Sequence, residues 1–317
     1  MRKHKYKLIT IATLFTFATA VIHIINKLIF ASATAKNMLK VNADHHYNWR
    51  FGKIYYDKKG EGSPILLVHD LTVHSSNYEW KNMIDKLSEK HTVYSIDLLG
   101  CGRSDKQALT YTNYMYVQII SDFIKNVIGK KTDIITCGFS SSFVIMACHN
   151  EKDIFGKIML INPPDIAELN KTPNKRTKLL KVLLETPILG TLVYNMLNTR
   201  GNIELLFTEQ YFYNPFHSKN EIVDTYFESA HRGAGNAKFL SASIMGRFIN
   251  NNIFHALKSI NTSIFIVGGA EEQDIQETIQ KYTDCNPAIE SAILPKSKHL
   301  PQLETPEQLL EQVEIFF

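Results

Sequence analysis

Thr136-Cys137-Gly138-Phe139-Ser140-Ser141-Ser142-Phe143-Val144 is the stretch that decides how this chain is read. It continues the apolar run that begins at Asp133-Ile134-Ile135, a pattern suited to a strand buried on both faces of a parallel sheet. From Ser141 to Cys148 the apolar residues recur at helical spacing. A serine therefore stands at the turn from strand to helix. There its backbone is strained, its side chain protrudes from the sheet, and the free N–H groups and dipole of the helix favour negative charge. Gly138-x-Ser140-x-Ser142 is a G-x-S-x-G pattern with its last glycine replaced by another small residue. In isolation the pattern is weak, because a polar helix cap gives the same letters. The surroundings carry the argument.

Working outward, Pro64-Ile65-Leu66-Leu67-Val68-His69 and Val93-Tyr94-Ser95-Ile96-Asp97 are buried-strand runs of the same type. So are Lys157 to Ile161 and Ser263 to Val267, while Tyr114 to Val127 has helical period. Arg50 to Tyr56 alternates like a hairpin strand, closed by Lys58-Lys59-Gly60-Glu61-Gly62 as a turn. Alternating strands and helices predict a doubly wound α/β sheet, mostly parallel and flanked by helices. The alternation stops between Asn162-Pro163-Pro164 and Ile260. Only helical signals occur there, among them Thr177 to Leu184, Ile188 to Leu197 and Glu221 to Ala230. A helical insertion of this kind covers the strand ends where such folds bind ligands, so it reads as a cap, with plain peripheral helices as the alternative. The aromatic cluster Phe207, Tyr211, Phe212, Tyr213 and Phe216 reads either as a pocket lining or as packing within the cap.

The order of these elements joins three further motifs: Val68-His69-Asp70, Asp97-Leu98-Leu99-Gly100-Cys101-Gly102-Arg103-Ser104, and Lys298-His299-Leu300-Pro301-Gln302-Leu303-Glu304-Thr305-Pro306. Together they resemble the α/β-hydrolase superfamily over roughly residues 49–317, most closely its cap-bearing esterase, C–C hydrolase and haloperoxidase-like branch. The resemblance implies a hydrolase core over 49–164 and 260–317, with a helical cap over 165–259 inserted after strand six. It also implies a nucleophile after strand five, an acid after strand seven and a histidine after the last strand. Carried onto this sequence, Ser140 is the nucleophile and His299 the general base. The acid is Glu272 by spacing from the glycines of Gly268-Gly269-Ala270-Glu271-Glu272-Gln273-Asp274, with Asp274 and Glu271 as alternatives.

On those roles His299 takes the Ser140 proton as the hydroxyl attacks a carbonyl, and water cleaves the acyl-enzyme. The backbone N–H groups of Leu71 and Ser141 are the expected oxyanion donors, each worth roughly 3–4 kcal/mol in other hydrolases. Serine rather than aspartate at position 140 points away from the dehalogenase and epoxide-hydrolase branches, which use a carboxylate nucleophile. The chain departs from the family at Asp70, where glycine is usual and a carboxylate adds negative charge near the oxyanion, and at Ser142 and Glu272. Gly100-x-Gly102 lacks the third glycine and the lysine of a phosphate cradle, so it reads as a structural turn.

The chain has 317 residues, 44% hydrophobic and 21% charged, a globular composition. Its 35 Lys+Arg against 31 Asp+Glu give a net charge of +4, too little to suggest nucleic acid. Cys101, Cys137, Cys148 and Cys285 lie far apart with no C-x-x-C, which speaks against a zinc site or a disulfide scaffold. His45-His46 and His74 have no partners at ligand spacing, so no metal or cofactor is expected.

Arg2, Lys3, Lys5 and Lys7 precede an uncharged run from Leu8 to Ile25 that ends at Lys27. At about 1.5 Å per residue it crosses most of a bilayer core, and the basic residues keep its start in the cytoplasm. Residues 1–30 read as a transmembrane anchor and 31–48 as a linker. A cleaved signal, given the A-x-A-like Ala31-Ser32-Ala33, and a buried helix are the alternatives. The whole predicts an anchored serine hydrolase that cleaves a small carboxylic ester or related acyl compound, the domain lying outside the cytoplasm. The rival is an inert relative that binds a ligand or another membrane protein.

Overall fold

The computed structural model describes residues 2–40 and 45–317. Helix α1 (Arg2–Thr34) precedes an eight-stranded sheet. Its strands are β1 (His46–Trp49), β2 (Gly52–Lys59), β3 (Ser63–Val68), β4 (His91–Ile96), β5 (Thr132–Cys137), β6 (Phe155–Ile161), β7 (Ile264–Gly269) and β8 (Glu290–Leu294). The spatial order is β1-β2-β4-β3-β5-β6-β7-β8. Strand β2 runs antiparallel to β1 and β4, and the other neighbours are parallel.

Helices α2 (Ile84–Leu87), α3 (Asn113–Phe123) and α4 (Ser140–Asn150) follow β3, β4 and β5 respectively. Between β6 and β7 come α5 (Ile166–Leu169), α6 (Lys175–Glu185), α7 (Leu189–Leu197), α8 (Arg200–Leu206), α9 (Asn220–His231), α10 (Ala237–Met245) and α11 (Phe254–Ser259). Helix α12 (Ile275–Cys285) follows β7, and α13 (Pro301–Glu304) and α14 (Pro306–Phe316) follow β8. This is the α/β arrangement expected, with a helical insertion after strand six.

The continuous apolar strands follow from burial on both sides. Leu66 and Val68 join a core with Tyr116, Phe123 and Phe143, whereas Ile65 and Leu67 join one with Trp80, Leu309 and Val313 on the opposite face. A polar side chain at any of these positions would lose water without a partner.

Two boundaries differ from the sequence reading. Lys58 and Lys59 extend β2, pairing with Tyr94 and Val93, so the turn starts at Gly60 instead. There φ is +81°, and a Cβ would lie 2.4 Å from the Ser88 and His91 carbonyl oxygens. The described residues at both ends of segment 31–48 also belong to regular elements. Helix α1 runs on to Thr34, and β1 begins at His46. Residues 41–44 lie outside the described residues.

Helix α1 is fastened to the insertion. Asn26 donates to the Ile188 carbonyl at 3.1 Å and accepts from Asn195 at 2.9 Å. Beyond the helix, the backbone N–H groups of Met38 and Leu39 donate to the Glu228 carboxylate.

The Asp97–Ser104 loop wraps a buried carboxylate. Asp97 accepts from the N–H of Asn77 at 2.7 Å, from the N–H of Arg103 at 3.0 Å and from Arg103 Nε at 2.6 Å. Burial raises its pKa, but the Arg103 charge together with the hydrogen bonds from Asn77 and Arg103 and other nearby groups outweighs this and leaves it below the usual carboxylate value. Gly102 (φ +47°) passes so close that a Cβ would meet the carboxylate at 2.6 Å. The Asp97→Asn variant leaves the Arg103 guanidinium, only 6% exposed, with the more exposed Asp57 as its sole charge partner. Urea unfolding is expected to show a loss of about 3 kcal/mol.

Candidate active site

The carboxyl ends of β3, β5, β7 and β8 converge, and the loops that leave them carry the site. Glu272 follows β7 and His299 follows β8; His299 Nδ1 donates to Glu272 Oε1 at 3.1 Å. On the other side of the ring, Nε2 meets Asp70 Oδ2 at 3.3 Å. The second Asp70 oxygen, Oδ1, accepts from the backbone N–H groups of Leu71 and Phe139, both at 2.7 Å. One carboxylate is thus held by a pair of N–H donors and by the histidine.

Gly138 makes this possible. Its φ is +56°, and a Cβ there would lie 2.2 Å from Asp70 Oδ1 and 2.3 Å from Asp70 Cγ. The sharp turn between β5 and α4 therefore bends at a residue with no side chain. The Asp70 carboxylate, arriving from the β3 loop, fills the volume that a side chain at the turn would take.

The residues predicted from sequence are partly brought together. Glu272 lies beside His299, while Glu271 donates its N–H to the Ser297 carbonyl and the Asp274 side chain accepts from Gln273 Nε2 at 3.3 Å. Leu71 is one of the two converging N–H donors. Ser140 is not joined to His299: it is fully buried, and its Oγ donates to the His69 carbonyl at 2.6 Å. Ser141 is not the second donor either, since its N–H is taken by the Gly138 carbonyl at 3.1 Å. The donor is Phe139. The physical reason is register: the left-handed residue is Gly138, two positions before Ser140, so α4 has already begun at Ser140 and turns that hydroxyl under β3.

Several supports were not foreseen. Asn162, at the end of β6, donates to the Lys298 and His299 carbonyls at 2.8 and 3.0 Å and accepts from the Gly269 N–H at 2.9 Å, tying the histidine and acid loops together. Buried His69 accepts the Leu98 N–H at Nε2, so its Nδ1–H donates to the Asp70 carbonyl at 2.6 Å. Burial holds its pKa below the ordinary value. Glu79 accepts the Asp70 N–H at 3.1 Å; burial first, and then the Asp70 charge, push its pKa up to about 8. From the aromatic cluster, Tyr211 stacks on the His299 ring at 5.2 Å, Phe207 and Phe212 pack inside the insertion, and Tyr213 and Phe216 are exposed. His74, in the loop after β3, is buried and hydrogen-bonded to Asn198 at 2.7 Å. Among the described residues no group of His, Cys, Asp and Glu is placed to hold a metal ion.

Burial opposes charge on His299, yet the hydrogen bonds and charges of Asp70 and Glu272 outweigh it and carry the pKa to about 10. At neutral pH the ring is an imidazolium between two acids. Beside it opens a cleft of roughly 420 Å³, lined by Asp70, Phe139, Asn162, Asp165, Glu272 and His299 among others.

The sequence pattern of the alpha/beta hydrolase family matches residues 65–312. The soluble epoxide hydrolase of Corynebacterium sp. strain C12 is 24% identical over 110 residues, 35% of this chain and 38% of that protein. The 2-hydroxy-6-oxo-6-(2'-aminophenyl)hexa-2,4-dienoic acid hydrolase of Metapseudomonas resinovorans is 32% identical over 71 residues, 22% of this chain and 24% of its own. The chain thus aligns with well under half the length of these curated relatives. Among solved structures, the epoxide hydrolase CorEH superposes with a TM-score of 0.71 at 19% identity, covering 86% of this chain and 97% of that one. The carbazole-degradation serine hydrolase CarC gives 0.70 at 16%, covering 86% and 98%. At these identities the likeness is one of fold.

Two outcomes follow from the geometry. Because the folded pKa of His299 lies above its unfolded value near 6.5, the proton it holds stabilises the native state fully below that value and is lost as pH rises through about 10. Glu79 and Lys106 both titrate near 8, and Lys106, held below its ordinary value by burial, regains stability as pH rises from there, so the histidine's share is read as a difference between proteins. Between pH 8 and 10, stability measured by denaturant should fall more in the wild type than in His299→Gln. Separately, Gly138→Ala should push the Asp70 carboxylate off the N–H pair, lowering stability by about 1–3 kcal/mol and returning the His299 NMR titration toward an ordinary value.

Proposed function

The chain belongs to the alpha/beta hydrolase family, and from that premise we propose that its nucleophile is the Asp70 carboxylate, working with His299 and Glu272, and that its substrates are strained cyclic ethers. The observation that carries this reading is the Asp70 carboxylate itself, with Oδ1 fixed by two N–H donors and Oδ2 turned to the imidazolium. Ester hydrolysis through Ser140, the reading favoured by the motif, needs a serine facing His299 and a vacant N–H pair for the substrate oxygen. Here the serine bonds the His69 carbonyl and Asp70 fills the pair.

The steps close chemically. Oδ2 attacks a ring carbon, the carbon–oxygen bond of the ring breaks, and the departing alkoxide takes the Nε2 proton of His299. An ester on Asp70 results. Its carbonyl oxygen, Oδ1, already sits against the N–H groups of Leu71 and Phe139, where charge that develops in the next step is stabilised. Esterification also removes the Asp70 charge that helped hold the proton on His299, so the neutral ring, oriented by Glu272, now acts as a base. It takes a proton from water, whose oxygen attacks Cγ. The tetrahedral anion collapses with cleavage of the bond from Cγ to the ester oxygen, and the carboxylic proton passes to the leaving alkoxide. The products are a diol, a carboxylate and an imidazolium, which is the starting state.

Net proton balance favours this substrate class. Opening a cyclic ether with water neither consumes nor releases a proton, and the resting imidazolium supplies the proton the leaving oxygen needs. A halide leaving group would make no use of it. The epoxide hydrolase among the relatives is consistent with this class.

We also read α1 as a membrane anchor and the helices between β6 and β7 as a cap. The apolar side chains of α1, such as Leu8, Ile11, Phe15 and Phe17, are exposed, while Asn26 fastens the far end to the insertion. The basic N-terminus supports a hydrolase body on the extracytoplasmic side.

The test uses styrene oxide in ¹⁸O-labelled water. Repeated turnover should transfer solvent oxygen into the Asp70 carboxylate, read by peptide mass. His299→Gln should stall at the ester and show a covalent adduct on Asp70. Asp70→Asn should lower the rate on the order of 10⁴-fold, while Ser140→Ala keeps it. A fluorophosphonate adduct on Ser140 would overturn the proposal. Absence of turnover and adduct across a panel of cyclic ethers would favour the inert, ligand-binding reading.

A further inference from the structure

Helices α6 and α7 meet at a corner of 104°, and the outer sides of both are apolar and open. Leu179, Val182 and Leu183 of α6 and Leu189, Val193 and Met196 of α7 are between 48% and 63% exposed. A monomeric soluble protein rarely leaves so many large aliphatic side chains together in water, and such a patch marks a surface that is covered.

The place of this corner in the chain says what covers it. Asn26 of α1 bonds the carbonyl of Ile188 in the corner and accepts from Asn195 of α7. Ile188 itself has φ +59°, a strained angle for a β-branched residue, and its carbonyl is one of the groups that meets the anchor. Asn26 lies immediately after the uncharged run Leu8 to Ile25, which at about 1.5 Å per residue nearly fills the roughly 30 Å core of a bilayer. If the run is embedded, the corner is held at the level where the bilayer core ends. Lys175, Arg176 and Lys178 are exposed on the first turns of α6, beside its apolar residues, and Lys27 follows Asn26. Cationic residues flanking an exposed apolar helix face match anionic headgroups over acyl chains.

We propose that the outer face of α6 and α7 is a second membrane contact, lying in the interfacial layer of the leaflet where α1 emerges. This inference rests on reading α1 as an anchor. Its consequence is that the insertion does not sway on a tether. The bilayer fixes two sides of it, and with it Tyr211, which stacks on His299.

The experiment uses the full chain with Cys285→Ser, the remaining cysteines being buried. Single cysteines replacing Leu183, Val193, Ile24 or Ile315 carry the environment-sensitive fluorophore NBD. The protein is reconstituted in vesicles of phosphatidylcholine and phosphatidylglycerol, with and without nitroxide-labelled lipid. Nitroxide should quench positions 183 and 193 as strongly as position 24 on the anchor, and leave position 315 on α14 unaffected. Quenching at 24 but not at 183 and 193 would overturn the inference while leaving the anchor intact. No quenching at 24 would remove the anchor reading and this inference together. Blue-shifted emission at 183 and 193 that is insensitive to nitroxide would assign the face to a second copy of the chain, also overturning it.

Discussion

The site depends on one exchange of volume. At the turn between β5 and α4 the chain needs a left-handed residue, and Gly138 supplies it without a side chain. The space so left is filled by the carboxylate of Asp70 from the neighbouring β3 loop, and two backbone N–H groups and an imidazolium hold it there. Neither half works alone. An alanine at 138 would collide with the carboxylate, and without Asp70 the two N–H donors and the His299 ring would face an empty cradle.

The surrounding residues are arranged to keep a dense set of acids from repelling one another. Asp70 and Glu272 flank His299, and Glu79 accepts the Asp70 N–H. The imidazolium balances two of them, and Glu79, pushed toward the neutral form by burial, adds little charge at neutral pH. His69 stays neutral and uses both ring nitrogens to brace the β3 loop against Leu98. Asn162 does the same for the β7 and β8 loops. Positions are thereby set by hydrogen bonds that the sheet's own strand ends provide, so the carboxylate has little freedom to turn away from the ring.

The sheet was legible because its strands are short, continuous apolar runs: β3, β4, β5, β6 and β7 all lie where those runs lie. The long insertion was legible as helical, though α8, α10 and α11 left no clear period in the sequence. At the site, the family resemblance pointed to His299, Glu272 and Leu71, and the structure brings Glu272 to His299 and the Leu71 N–H to Asp70. The carboxylate on the other side of the ring was not foreseen. G-x-S-x-G identifies letters, whereas the backbone identifies which letter takes the left-handed angle, and here glycine, the residue suited to that angle, stands two places early. The signal that bore on it was present at Asp70, a carboxylate in place of the usual glycine, but its meaning required knowing that Gly138 had left room. Asn162 and Glu79 were invisible because they act through contacts far apart in sequence.

The central claim is that a carboxylate from the β3 loop has taken the place of a side chain at the turn. Moving it back tests that claim: Asp70→Gly combined with Gly138→Asp puts the carboxylate on the turn itself. The measurement is the rate of styrene oxide hydrolysis, set beside the His299 NMR titration, in the single and double variants. The expected result is that Asp70→Gly alone loses both the activity and the raised histidine pKa, and that the double variant regains both. A double variant no more active than Asp70→Gly, with the histidine titrating near its ordinary value, would contradict the account.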